Sequence, residues 1–234
     1  IENPAHFWSA YWDFAELQAS RKGAIAVEDL DQFPGARWFP EAKLNYAENL
    51  LSTRSSKTAF VSILENGERR SISYEQLYSE TSNVQSLLKS HVSMGDRVAG
   101  WLPNTIETAV AMLATSSLGG VWSSCSPDFG IEGALDRFGQ IEPKVLFACD
   151  GYFYAGKRIN IREKVRSVAK QVRSIELIVW VSVLEDPQAA RPKETNWGDW
   201  PSDSSPTINF EQLAFDHPLY IMYSSGTTGK PKCI

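Results

Sequence analysis

Hydrophobic and polar positions change period repeatedly along residues 58–181, and this alternation predicts short strands separated by amphipathic helices. Apolar runs bounded by polar or turn residues predict strands at 59–64, 69–73, 97–102, 120–124, 145–148 and 175–181. Apolar positions at helical spacing predict helices at 74–91, 104–117, 131–141 and 161–172. Strands and helices in this order form β-α-β units, so the pattern predicts an α/β fold with a mostly parallel, doubly wound sheet and flanking helices.

Short polar signals mark the predicted element ends. Asn66-Gly67 lies between two apolar runs and predicts a β-hairpin turn. Ser73-x-x-Gln76 and Asn104-x-x-Glu107 each have the spacing of a capping box, in which two side chains satisfy backbone N–H groups at a helix start. Residues 186–206 contain four prolines together with Ser and Asp, and are predicted to form a surface loop or linker.

The first 57 residues have a different texture and predict a helical and irregular arm. An amphipathic helix is expected from His6 to Ser20 and a short helix from Asn45 to Leu51, with irregular chain at 22–40. The apolar face of the first helix is expected to contain Phe7, Tyr11, Phe14 and either Leu17 or Gln18. The simplest interpretation is that this arm packs on a main domain formed by residues 58–234.

The last segment carries the strongest chemical signal. A β-like run from Leu219 to Tyr223 leads into a loop that combines glycines, hydroxyl groups and lysines, which together supply close backbone N–H groups, hydrogen-bond donors and positive charge for a polyphosphate. Gly226 and Gly229 are too close together for a Walker P-loop. A solvated turn with two surface lysines is the alternative interpretation. The residues expected to contact phosphate are Ser224, Ser225, Gly226, Thr227, Thr228, Gly229, Lys230 and Lys232.

Two other segments could either bind a ligand or serve only the fold. Residues 123–130 follow a predicted strand and could line a ligand channel, or Ser126 or Asp128 could cap the next helix. Lys157 and Arg158 lie just before a predicted helix, where N–H groups and the helix dipole favour anions, or they could simply be solvated.

Composition narrows the classes of function. The 234 residues are 43% hydrophobic and 22% charged, with a net charge of −5, which disfavours nucleic acid as the main ligand. The three cysteines are scattered, as expected for a reducing, cytoplasmic protein without disulfides or a zinc site. The three histidines are equally scattered, so no metal-ligating residues are predicted. No apolar run reaches the roughly 18 residues that a membrane span requires.

The segment Tyr223–Lys232 fits the signature [YF]-[ST]-S-G-T-T-G-x-P-K-G and so resembles the phosphate-binding loop of the adenylate-forming enzymes, except that Cys233 replaces the final glycine. The rest of the chain resembles the acetyl-CoA synthetase branch of that superfamily, and within it the acetoacetate–CoA ligases. The stretches that carry this second resemblance are 35–40, 44–51, 73–88, 95–98, 102–104, 109–118, 122–130, 135–144 and 231–234.

The resemblance implies the N-terminal part of the large domain of such an enzyme, with residues 1–57 as its arm and 58–234 as an incomplete ligase domain. It implies a ligase that joins acetoacetate to CoA with ATP, through an acyl-adenylate, with Mg²⁺ on the phosphates. It assigns Lys232, Thr227 and Thr228 to catalysis as pyrophosphate leaves. It also places Lys157, and more weakly Arg158, near the 3′-phosphate of CoA, although Tyr154 stands where the branch has a second arginine.

Two alternatives remain open at the level of sequence. The ligase could act on another short-chain acid such as acetate or propionate, because the family's acyl-pocket residues follow the phosphate loop. Its adenine contacts and adenylation lysine also follow this loop, so the 234 residues could equally be a truncated product that binds without catalysing. A dinucleotide-binding oxidoreductase is disfavoured because no G-x-G-x-x-G follows a predicted strand.

Overall fold

The N-terminal arm consists of short elements in the computed structural model, which describes residues 2–186, 188–201, 206–224, 229 and 231–234. Each of its helices begins at an asparagine whose side chain accepts a backbone hydrogen bond: Asn3 accepts from His6, and Asn45 accepts from Ala47 and Glu48. The arm's elements are α1 (Pro4–Phe14), β1 (Ala19–Arg21), β2 (Val27–Glu28), β3 (Arg37–Trp38), β4 (Lys43–Leu44) and α2 (Tyr46–Leu50).

The predicted extent and buried face of the first helix are wrong. Helix α1 ends at Phe14, and Glu16 then adopts a left-handed backbone conformation that turns the chain into β1. Tyr11 and Phe14 are 49% and 85% exposed, whereas Trp12 is buried against Phe39 with ring centroids 4.8 Å apart. The Trp12 indole is larger than the phenyl and phenol rings of the predicted face and lies on a different side of α1. The helix therefore packs through the side that carries Trp12.

Beyond the arm, helices and strands alternate as predicted, and the α/β class is confirmed. The helix predicted at 131–141 agrees with the structure to the residue. The elements are β5 (Thr58–Ile63), β6 (Arg69–Ser73), α3 (Tyr74–Leu88), β7 (Arg97–Trp101), α4 (Ile106–Ser117), β8 (Val121–Cys125), α5 (Ile131–Ile141), β9 (Val145–Cys149), β10 (Gly151–Tyr154), β11 (Lys157–Asn160), α6 (Arg162–Gln171), β12 (Leu177–Val181), β13 (Glu194–Asn196), β14 (Leu213–Ala214), β15 (Tyr223–Ser224) and β16 (Lys232–Cys233).

The central sheet has five strands in the order β13-β12-β9-β7-β8, and all of its pairings are parallel. Every residue of β9 and β12 is buried, as expected for strands covered on both faces. The chain moves from β7 to β8 through α4, then crosses back over β7 to reach β9 through α5. Right-handed crossovers in opposite directions place α4 on one face and α5 with α6 on the other, and they open a crevice at the carboxyl ends of β7 and β9.

The local signals at residues 66–76 are confirmed. Gly67 has a φ of +84° in the turn between β5 and β6, a conformation that favours glycine. The Ser73 hydroxyl accepts from the Gln76 amide at 3.2 Å, and the Gln76 side chain accepts from the Ser73 amide at 3.0 Å. This reciprocal pair is the predicted capping box at the start of α3.

Two local predictions are wrong because distant residues override them. Helix α4 begins after Thr105 with no side-chain cap, and the Glu107 carboxylate instead pairs with both Arg70 nitrogens at 2.7 and 2.8 Å. Residues 186–206 are not all loop: β13 pairs in parallel with β12. The Glu194 side chain, which accepts from the Trp180 indole at 2.9 Å, holds β13 at the sheet edge.

The arm is joined to the main body by backbone pairing and by one buried side chain. Strand β4 lies between β1 and β14 in a three-stranded antiparallel sheet. The Asn45 amide, which is fully buried, donates to the carbonyls of Ser116, Ser117 and Glu211 at 2.8–3.2 Å. Asn45 thus caps α2 and fixes α2 against the end of α4.

Candidate phosphate site and its neighbouring cavities

The predicted phosphate loop joins the two strands of an antiparallel hairpin. Ser224 faces Lys232 across the strands, and Tyr223 faces Cys233. Directly opposed side chains project to the same face of a hairpin, and successive side chains alternate between faces. Ser224 and Lys232 therefore share one face, so a hydroxyl group and an ammonium group predicted to hold phosphate stand side by side at the base of the loop.

Part of the predicted set cannot be compared with the structure. Ser225, Gly226, Thr227, Thr228 and Lys230 lie outside the described residues. Gly229 has a φ of +115°, and a Cβ there would meet no atom within 4 Å. Its backbone conformation, rather than lack of space, is what favours glycine at this position.

The other face of the hairpin rests on α5. The Tyr223 hydroxyl donates to the Arg137 carbonyl at 3.1 Å. The Gln140 amide donates to the Pro231 carbonyl at 2.9 Å and accepts from the Cys233 thiol at 3.5 Å. Sequence reasoning used Arg137 and Gln140 only as marks of resemblance; their spacing of three residues, one turn apart on a helix, was the one signal of a shared role.

The hairpin is also attached to the central sheet through β8. The Trp122 amide donates to the Leu219 carbonyl at 3.1 Å, and the Ile221 amide donates to the Trp122 carbonyl at 2.9 Å. The Ser123 hydroxyl, which is buried, donates to the Ile221 carbonyl at 2.9 Å. The predicted β-like run thus runs parallel to β8 and carries the loop to the carboxyl edge of the sheet.

A cavity of about 540 Å³ lies between β8, α5 and this run. Among the described residues that line it, the one cation is Arg137, whose guanidinium carbon is 4.1 Å from the Phe129 ring centroid and 5.4 Å from that of Tyr223. Burial raises the pKa of Tyr223, so its hydroxyl keeps its proton and stays a donor. The cavity therefore offers an aromatic wall and one positive charge beside the phosphate loop.

A second cavity of about 480 Å³ lies beyond the carboxyl ends of β7 and β9, between the segments that leave these two strands. Residues 124–126 line both cavities and separate them. Burial raises the pKa of Cys125, in this shared wall, to about 12, so its thiol is not poised as a nucleophile. Capping of α5 by Ser126 or Asp128 is wrong, because Gly130 occupies the cap position and no side chain bonds there.

Strand β10 forms the far wall of the second cavity, and its hairpin partner β11 carries Lys157 and Arg158 outside that lining. Lys157 and Arg158 precede α6, which begins at Arg162, but they lie on β11 rather than at the helix start, so the N–H groups of α6 do not explain their placement. Ala155 and Gly156 turn the hairpin with φ of +50° and +73°, the signs of a type I′ turn. Lys157 is exposed and makes no ion pair within the described residues, whereas the Arg158 guanidinium donates to the Leu184 carbonyl.

The base of β10–β11 is held by a buried carboxylate that the sequence did not reveal. One Asp150 oxygen accepts from the amides of Val183 and Leu184 at 2.8 and 3.0 Å, and the other accepts from the Ser182 hydroxyl at 3.2 Å. Arg162, also buried, places a guanidinium nitrogen 3.8 Å from this second oxygen. The group is therefore paired and hydrogen-bonded, as a buried charge must be.

The described residues contain neither a cluster of metal-ligating side chains nor a disulfide. No group of three His, Cys, Asp or Glu side chains there could hold a metal ion. Cys125, Cys149 and Cys233 are all free, and only Cys233 is exposed. Among the described helices, none is long and apolar enough to cross a bilayer.

Comparison with known proteins identifies similarity over the whole chain. Residues 48–234 match the family model described as AMP-binding enzyme, and residues 1–50 match that of the acetyl-coenzyme A synthetase N-terminus. The acetoacetyl-coenzyme A synthetase of Rhizobium meliloti (strain 1021) is 43% identical over 235 residues, which cover 97% of this chain and 35% of the relative. The acetoacetyl-CoA synthetase of Gallus gallus is 38% identical and covers 100% of this chain and 37% of the relative.

A solved structure agrees with these matches. The acetoacetyl-CoA synthetase from Streptomyces lividans superposes with a TM-score of 0.93 at 38% identity, covering 100% of this chain and 36% of that one. The malonamoyl-CoA synthetase of Penicillium aethiopicum is 34% identical over the full chain. The chain thus spans between a third and two fifths of the length of the relatives it matches, and the predicted resemblance is confirmed.

Proposed function

Because the chain belongs to the AMP-binding enzyme family, we propose that it forms the N-terminal part of an ATP-dependent acid–thiol ligase. The proposed reaction converts acetoacetate, ATP and CoA to acetoacetyl-CoA, AMP and pyrophosphate. Relatives named acetoacetyl-CoA synthetase match 97–100% of the chain and support this substrate. The observation that carries the proposal is the hairpin, where Ser224 and Lys232 share one face at the carboxyl edge of the sheet.

The chemistry expected at this hairpin follows from charge. An acetoacetate carboxylate oxygen attacks the α-phosphorus of ATP, and the bond to the bridging oxygen of pyrophosphate breaks. Ser224 and Lys232 would hold the β- and γ-phosphates and stabilise the negative charge that develops on the leaving group. Thr227, Thr228, Ser225 and Lys230 would add donors from the loop, with Gly226 and Gly229 contributing backbone N–H groups.

Mg²⁺ would neutralise the phosphates when bound. It would supply positive charge beside Ser224 and Lys232; the described residues include no group of three metal-binding side chains. A cytoplasmic location and the division into residues 1–57 and 58–234 stay predictions.

CoA would enter for the second half-reaction, in which its thiolate attacks the adenylate carbonyl and AMP leaves. We assign its 3′-phosphate to Lys157, which is exposed on β11 without an ion pair in the described chain. Arg158 is the weaker candidate because its guanidinium already donates to Leu184. The 480 Å³ cavity beside this hairpin gives the rest of CoA a path toward the carboxyl edge of the sheet.

A second substrate is favoured by one comparison. The relative named malonamoyl-CoA synthetase is 34% identical over the whole chain. Malonamate, which has an amide in place of the ketone of acetoacetate, is therefore an alternative substrate. Acetate and propionate are the simpler competitors.

The test is ATP–pyrophosphate exchange by the full-length protein with acetoacetate, malonamate, acetate and propionate as alternative acids. We expect the highest kcat/KM with acetoacetate. Preference for another acid would replace the substrate and retain the adenylation chemistry, whereas no exchange with any acid would remove the proposed function.

Lys232→Ala tests the hairpin itself. Loss of one charged donor at a developing anion costs on the order of 10²- to 10³-fold in kcat. The matched control is Lys170→Ala, because Lys170 is an exposed lysine near the end of α6 and lines neither of the two cavities. An exchange rate within twofold of wild type for Lys232→Ala would contradict the assignment.

A further inference from the structure

One side chain of α5 bridges both residues that flank Lys232. Gln140 donates to the Pro231 carbonyl at 2.9 Å and accepts from the Cys233 thiol at 3.5 Å. Since side chains alternate along a strand, Cys233 points toward α5 while Lys232 points to the opposite face with Ser224. A contact that fixes residues 231 and 233 therefore also fixes the origin of the lysine side chain between them.

We propose that Gln140 and Cys233 form a positioning pair that sets the register of β16 and the direction of Lys232 toward the bound phosphates. The proposal rests on the function proposed above and adds to it residues that touch no substrate. Gln140 acts on the backbone through Pro231 and on the side chain through Cys233. Tyr223 fixes the facing strand one helical turn away on α5, through the Arg137 carbonyl, so both strands are held by the same helix.

The identity of residue 233 fits this role. The wider signature has glycine here, which has no side chain to reach Gln140. A thiol is a weak donor and acceptor, and it bridges a longer distance than a hydroxyl would. Cys233 is also exposed, whereas Cys125 and Cys149 are buried, and burial raises the pKa of both of these thiols.

The first measurement is the kinetics of ATP–pyrophosphate exchange by Gln140→Ala in the full-length protein. Loss of the bridging hydrogen bonds is expected to lower kcat roughly three- to tenfold, with the KM for acetoacetate unchanged. The control is Gln171→Ala, because the Gln171 amide donates to the carbonyl four residues earlier on α6, as Gln140 does on α5, yet contacts no hairpin. Equal kcat losses in both variants would overturn the proposal.

Coupling between the two members gives a second test. If they act as a pair, Cys233→Gly lowers kcat by a similar factor, and the double variant with Gln140→Ala is no slower than either single variant. Cys233→Ser is expected to recover part of the loss because it restores a group that can donate to Gln140. Fully multiplicative losses in the double variant would show two independent effects and would overturn the pair.

A readout that does not depend on activity separates this proposal from the function it rests on. Iodoacetamide labelling of the peptide that contains Cys233, measured by mass spectrometry, should be several-fold faster in Gln140→Ala than in wild type and unchanged in Gln171→Ala. Unchanged labelling in Gln140→Ala would remove the contact. If wild-type protein shows no acid-dependent exchange but the labelling difference is found, the proposed function fails while the contact stands.

Discussion

Two hairpins stand at the carboxyl edge of the same sheet, and they are held in different ways. The β10–β11 hairpin continues directly from β9, and its base is fixed by the buried Asp150 carboxylate and by Arg162 of α6. Gly151 packs so tightly there that a Cβ would lie 2.3 Å from the Ile159 carbonyl oxygen. The β15–β16 hairpin instead rests on the surface of α5, where the Tyr223 hydroxyl donates to the Arg137 carbonyl and the Gln140 amide donates to the Pro231 carbonyl, and the run before it is hydrogen-bonded to β8.

These different contacts predict that β10–β11 is rigid and that β15–β16 moves more easily. A buried carboxylate that is hydrogen-bonded and paired with a guanidinium is costly to expose, so β10–β11 is expected to keep one shape whether or not ligand is bound. Single hydrogen bonds at an exposed helix face contribute far less each. On the proposed function, the β15–β16 hairpin would therefore adjust to ATP and then to pyrophosphate release without disturbing the sheet.

The largest expected effect comes from breaking the buried pair. Arg162→Met leaves Asp150 buried without its counter-charge, which costs about 3–5 kcal/mol. The Val183 and Leu184 amides, which donate to Asp150, should then exchange with deuterium much faster in hydrogen-exchange mass spectrometry. Arg173→Met, at an exposed arginine after α6 that makes no ion pair in the described chain, should leave those amides unchanged.

If the exchange of these amides changes by less than tenfold in Arg162→Met, the two hairpins do not differ in the way the contacts indicate. This readout is local to the amides that donate to Asp150, so it does not require the whole protein to unfold in one step.

Features that depend on residues close together in the sequence were predicted, whereas features that depend on distant residues were missed. Helix α5 and the Ser73–Gln76 capping box depend on neighbours along the chain, and both were predicted correctly. The type I′ turn at Ala155-Gly156 was missed because alanine seldom adopts positive φ, so the dipeptide is a weak hairpin signal. Strand β13 was missed because its pairing with β12 depends on Glu194 meeting Trp180.

The candidate site likewise has a part that the sequence could predict and a part that it could not. The residue types of the predicted phosphate loop match the chemistry of a polyphosphate, so sequence alone could propose them, and they stay a prediction. The support from Arg137 and Gln140 depends on a helix some 90 residues earlier folding beneath the loop, and the 91-residue separation of Gln140 and Pro231 leaves no local pattern.

A medium effect on stability is expected at the second ion pair of α6, between Arg166 and Glu194, which lies nearer the surface. Burial raises the pKa of Glu194, but hydrogen bonds from Arg166 and Trp180 outweigh it, so the folded pKa lies below the ordinary value. A lowered folded pKa means that this stabilisation is present above the unfolded pKa and is lost as the pH falls through the folded one, from about pH 5 downward.

Glu194→Gln should therefore cost about 1–3 kcal/mol at pH 7 and progressively less as the pH is lowered toward 3. Thermal unfolding midpoints at several pH values measure the difference between variant and wild type. Exposed Glu176→Gln serves as the control. A difference that does not shrink in acid would mean that Glu194 stabilises β13 through packing rather than through its charge.

The smallest effect is expected at the rim of the rigid hairpin. Its two cations are not equivalent: Arg158 is engaged with Leu184, and Lys157 is available to a ligand. Lys157→Glu should raise the KM for CoA on the order of fivefold in low salt, and less as salt screens the charge, with kcat unchanged. Lys193→Glu, the same reversal at an exposed lysine that lines neither the 480 Å³ nor the 540 Å³ cavity, controls for net charge. An unchanged KM for CoA would remove Lys157 from the site and leave β10–β11 as a wall alone, because Arg158 could reach a phosphate only by giving up the contact that helps to hold the hairpin in place.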